Sequence, residues 1–197
     1  MIDPARTAIL LHTPREHELA RLLPFMADAE PDFFNAYQSS HNRPATATLR
    51  GRDTIVSFVR VEGGTLALAG VFRNLGVEEL PMAEIAAMPH VRRLIEEFGA
   101  YQEFREPEDR NWPWFTLVRT DLMSEYFGRL QIQPQLTQAY ARLAENLDAE
   151  IVALSQDSIL SPTAPNWRHF MLTGPEIRAL PAAWEARLRE WRGIFLL

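Results

Sequence analysis

The chain has 197 residues, 47% of them hydrophobic, which excludes a disordered tail and is enough for one sizeable core. It has no cysteine, so disulfides, thiolate nucleophiles and zinc-thiolate sites are excluded, and the composition suits a reducing compartment. With 20 basic against 26 acidic residues the net charge is −6, which argues against a protein that coats nucleic acid by bulk electrostatics.

No apolar run is long enough to span a bilayer, and the first residues lack the basic-then-apolar order of a signal peptide, so a cytoplasmic protein is expected. Pro14 to Ala29 spaces Leu19, Leu22, Leu23 and Phe25 or Met26 as a helix. Glu30-Pro31 ends or bends it. Asp32 to Tyr37 begins a second short helix that stops in the polar stretch Gln38 to Asn42. Every basic residue is arginine. Arg43, Arg50, Arg52, Arg60 and Arg73 stand against two acids, Asp53 and Glu62, making one stretch locally basic.

Thr54 to Val61 and Thr65 to Arg73 are β-rich runs joined through Gly63-Gly64, whose φ freedom suits a hairpin turn. Pro81 to Phe98 is predicted helical, with Pro89 kinking or breaking it. After an acidic loop over 103–111, strands are expected at Trp112 to Arg119 and Gly128 to Gln133. Thr137 to Leu147 is predicted as a helix, Glu150 to Ser155 as a strand and Ser158 to Asn166 as a loop. Pro181 to Arg192 is an amphipathic helix with Trp184, Leu188 and Trp191 as its apolar stripe. Gly193 to Leu197 then reads as the start of a buried strand, which either adds to an existing sheet or has its partners beyond residue 197.

These elements predict an α+β protein built on a small, mostly antiparallel, partly open β-barrel with helical insertions. Arg50-Gly51-Arg52-Asp53 has one glycine and no lysine, so it is neither a P-loop nor a dinucleotide-binding turn. His12, His17, His41, His90 and His169 lack metal-ligand spacing, and no Gly-x-Ser-x-Gly elbow accompanies Ser39, Ser40 and His41. No catalytic residue, metal site or cofactor is expected. Trp112 and Trp114 lie on one side of an extended strand. Facing a barrel interior they are core. At a barrel mouth they stack on a base, with Tyr37 and Phe58 as further walls and Arg52 and Arg60 meeting phosphates.

The segment Leu180 to Leu197, a tryptophan-bearing helix running into Gly193-Ile194-Phe195, resembles the junction found in bacterial GIY-YIG nuclease family proteins. Gly128-Arg129-Leu130-Gln131-Ile132 and Leu68 to Asn74 are similar to the amino-terminal region of the same proteins. The strand containing Gly51-x-Asp53-x-Ile55, the Gly63-Gly64 hairpin and Gly128-Arg129-Leu130 also resemble PUA-like or EVE-like barrels. This resemblance implies a PUA-like recognition domain over 1–172, followed over 173–197 by the helix and first strand of a truncated or absent nuclease domain. It implies DNA or RNA as partner, with a modified or flipped base as the target, in a restriction or defence setting. A small-ligand or protein-interaction domain is the alternative. The family's second motif, helix-borne arginine and metal-binding glutamate find no counterpart, and Phe195 stands where the first motif has tyrosine, so this chain is expected not to cut nucleic acid. The terminal helix stripe is a candidate homodimer contact.

Overall fold

The computed structural model describes residues 4–12, 36–60, 65–120, 122–134, 141–144 and 149–154. Within them an α+β architecture is seen, with seven strands in one mixed sheet. The strands are β1 (Thr7–His12), β2 (Thr54–Arg60), β3 (Leu66–Pro81), β4 (Asn111–Arg119), β5 (Leu130–Pro134), β6 (Ala141–Leu143) and β7 (Ala149–Leu154). Their order is β6-β1-β2-β3-β5-β7, with β4 also paired to β3, and β6 and β7 are not paired to each other. The sheet is therefore open among the described residues. Every pairing is antiparallel except that of β1 with β2.

β1 is buried along its whole length, as befits an inner strand covered on both faces. Alternation divides its side chains: Ala8 and Leu10 enter one core, Ile9 and Leu11 another. β2 and β3 continue the division, Ile55, Val59, Ala67 and Ala69 joining the first core and Val56, Phe58, Leu66 and Leu68 the second. The first face is covered by α1 (Arg43–Leu49), through Ala45 and Leu49, and by Leu94 and Phe98 of α3 (Pro89–Phe98). Tyr126, with Met123 and Phe127, covers the second.

Long β3 organises the rest. Its first half pairs with β2 on one edge, and its opposite edge pairs first with β5 and then with β4. Between those two partners the carbonyl of Leu68 accepts from Gly128 N–H at 2.6 Å and that of Val71 from Thr120 N–H at 2.8 Å, so the ladder is not left open. A bulge at Asn74 to Gly76 interrupts the β4 pairing, with Gly76 at φ +146°.

Several expectations hold. The first hairpin strand is Thr54–Arg60, and the second runs on to Pro81. The helix across 81–98 is broken where Pro89 forces Met88 into an extended conformation, leaving α2 (Met82–Ala87) and α3. One expectation is corrected. Residues 141–143, predicted helical, form β6, which closes the edge of β1 through the Cα partners Ala8 and Leu143. Pairing a buried strand edge outweighs a weak local helical tendency. β1 itself, and its parallel alignment with β2, were not anticipated from the sequence. The expected helices at 14–29 and 181–192, the Gly63-Gly64 turn, the loop at 158–166, the strand from Gly193 and the domain boundary at 172 lie outside the described residues, as does the dimer stripe.

Candidate functional site

The polar centre of the first face is the segment after Tyr37. Gln38, Ser39, Ser40 and His41 are all buried, and so are His12 of β1 and Ser57 of β2. Buried polar groups require partners, and most of these are identifiable. Gln38 Oε1 accepts from His12 Nε2 at 2.6 Å and from Ser57 Oγ at 3.0 Å. An amide oxygen cannot donate, so His12 carries its proton on Nε2.

The segment is tied down from outside by aromatic side chains. The Tyr101 hydroxyl accepts from Ser40 N–H at 3.2 Å and lies against the carbonyls of Ala36, at 2.9 Å, and Tyr37. Trp112 Nε1 donates to Ser40 Oγ at 3.0 Å, Ser40 bridges Trp114 in antiparallel fashion, and Phe115 N–H donates to the Ser39 carbonyl at 2.9 Å. The Tyr37 ring lies between His12, 5.4 Å away, and Tyr101, stacked at 6.1 Å.

Burial makes this layer electrically neutral. Loss of hydration lowers the His12 pKa to about 4, against the opposing effect of its bond to Gln38. His41 is lowered further, to about 3, by burial and then by the proximity of His12. Burial also raises the Tyr101 hydroxyl well above its usual range. Near neutral pH both imidazoles and the phenol are uncharged. Among the described residues no group of three His, Asp or Glu side chains is placed to hold a metal, and no helix is long and apolar enough to cross a membrane.

Three of the six residues expected to bind come together here. Tyr37 is in the first core, while half-buried Trp112 and Trp114 pack with Met82, Ile85, Val91 and Phe104 in a third cluster. Ser40 and Tyr101 join the two groups. Arg110 sits 4.8 Å over the Trp112 ring. Phe58 is fully buried on the opposite face of the sheet, so it shares no wall with Tyr37. Arg52 and Arg60 flank opposite ends of β2, a strand roughly 20 Å long, and Arg52 donates to the Ala5 carbonyl at 2.7 Å.

Gln38, Tyr101 and the buried state of His12 and His41 were missed in the sequence. The available signal was His12 two and four residues after Leu10 and Ala8, in phase with an apolar strand face. No family model, no curated protein and no solved structure matches this chain.

Proposed function

We propose that this chain is a nucleic-acid recognition module of the GIY-YIG nuclease family type, on a PUA-like sheet. The observation that carries the reading is the pair Trp112 and Trp114. Both indoles project from the same side of β4, both are half-buried, and both are held by polar or aromatic neighbours. Rings fixed in this way can stack on a base without first losing rotamer freedom. Arg110, ion-paired with Glu108 at 2.7 Å, packs over the Trp112 ring and helps to fix it. Arg43, Arg60 and Arg73 are exposed and belong to no ion pair among the described residues, whereas Arg50 is engaged with Glu79 and Arg6 with Asp53. The open, mostly antiparallel sheet is compatible with the PUA-like reading.

No phosphodiester cleavage is assigned to this chain, since Phe195 has no hydroxyl to take the part of the family's tyrosine. DNA or RNA is the partner, selected by stacking more than by charge, as the net charge of −6 requires. Titration of single-stranded oligonucleotides against tryptophan fluorescence tests this. Affinity should fall steeply with salt and should drop about tenfold or more in a Trp112→Ala, Trp114→Ala double variant. Unchanged affinity in that variant rejects the reading.

A further inference from the structure

Two buried carboxamides on the first face of the sheet share a pattern. Gln38 Oε1 is engaged by His12 and Ser57, and Gln131 Oε1, on β5, accepts from Thr65 Oγ1 at 2.8 Å. Fixing the oxygen fixes the other end of the amide, so each Nε2 is turned away from these partners as a pair of donors. Among the described residues neither Nε2 has a hydrogen-bond partner, and both glutamines are fully buried. An unmatched buried amide is a standing cost, and here it occurs twice on one face.

Their placement is not random. His12, Val59, Ala67 and Gln131 are successive Cα partners across β1, β2, β3 and β5, and Ser57 shares the Val59 face of β2. Between the two amides the floor is made of small side chains, Ala67 and Ala69. Strands β2 and β5 are separated by β3 alone, so they lie about 10 Å apart. That span suits one flat molecule hydrogen-bonded at both edges. The charge balance narrows the class. Both histidines near Gln38 are neutral, and Arg142, the one buried arginine among the described residues, is the Cα partner of Ile9 and so belongs to the opposite face. Nothing here compensates an anion.

We propose that this face holds a site for a neutral, planar ligand with two ring carbonyl oxygens, a cyclic dicarbonyl, bound by the amide donors of Gln38 and Gln131. Entry requires the buried segment from Tyr37 to His41 to lift from the sheet. This chemistry is carried either by a pyrimidine-2,4-dione base or by a free cyclic diamide, and it does not depend on the chain's binding oligonucleotides.

Calorimetric titration of the full chain with uracil and with cyclo(Gly-Gly) tests it. At least one should bind saturably, with an affinity indifferent to salt, and should raise the melting temperature. Gln131→Met and Gln38→Met should each weaken binding about tenfold or more while remaining folded. If Gln38→Met fails to fold because His12 and Ser57 lose their acceptor, Gln131→Met decides the matter. Binding of uracil alone points to a nucleobase, and binding of the diamide to a free metabolite. Failure of both probes to bind, or binding unaltered by Gln131→Met, overturns the proposal. Oligonucleotide affinity measured alongside separates the two ideas, because salt-dependent oligonucleotide binding without uracil binding leaves the recognition reading standing and this one rejected.

Discussion

The hydroxyl of Tyr101 accepts a hydrogen bond from the backbone N–H of Ser40, 61 residues away in the chain, and the same oxygen meets the carbonyls of Ala36 and Tyr37. One side chain thus satisfies backbone groups of a buried polar segment that lies outside the named strands and helices. Tyr101 is held there at φ +53°, two residues after the left-handed Gly99 cap of α3. The site on the first face is consequently anchored to α3 and to β4 more than to its own flanking chain.

Replacing Tyr101 with Phe should therefore destabilise the protein by roughly 2 kcal/mol, the cost of leaving buried backbone groups unpaired while the ring packing stays. Urea denaturation measures the loss. Faster amide hydrogen exchange at Ser40, with the strand amides of β2 unchanged, would locate it.

Stability should depend on pH through the two histidines. Their folded pKa values, about 4 and about 3, lie below the unfolded value of 6.5, so the unfolded chain takes up protons first. The contribution is fully present above about pH 6.5 and is lost as pH falls toward 4 and then 3, His12 alone accounting for on the order of 3 kcal/mol. Urea midpoints measured across that range should fall steadily. A flat profile would show that the imidazoles are not buried as neutral groups.

Asn42 caps α1 by accepting from Ala45 N–H at 3.0 Å. Asn42→Ala should cost about 1 kcal/mol, read as a lower melting temperature, with Asn42→Asp restoring most of it.

At Gly70 a Cβ atom would stand 2.9 Å from Cε2 of the fully buried Phe72 ring and 3.0 Å from its Cζ. The ring has a packed core around it, so Gly70→Ala should destabilise by about 1–3 kcal/mol. A second change that shortens the ring, Phe72→Leu, should recover part of that loss. Additive losses would argue against the clash as the cause.

Local chemistry made part of this molecule legible in its sequence. The Thr54–Arg60 strand and its partner, the break before Pro89 and the shared side of Trp112 and Trp114 all follow from neighbours a few residues away. β6 and the parallel alignment of β1 with β2 do not, because each is set by a strand distant in the chain. The polar stretch from Gln38 reads locally as a solvated helix end. It is buried because Tyr101, Trp112, His12 and Ser57 supply its hydrogen bonds, and no pattern within the stretch itself announces them.

β3 touches three partners along its 16 residues, β2 on one edge and β5 and β4 in turn on the other. A slip of one residue anywhere in it would exchange the two cores' side chains against all three neighbours together. The extra residue at the Asn74–Gly76 bulge, where Leu75 is 58% exposed, is set aside at the surface, so Asn74 pairs with Leu117 and Gly76 with the adjacent Thr116. Deleting Leu75 would therefore leave a regular ladder with β4, Phe72 and Val77 both staying on the first face, and should be tolerated where a one-residue deletion between Leu66 and Phe72 would not.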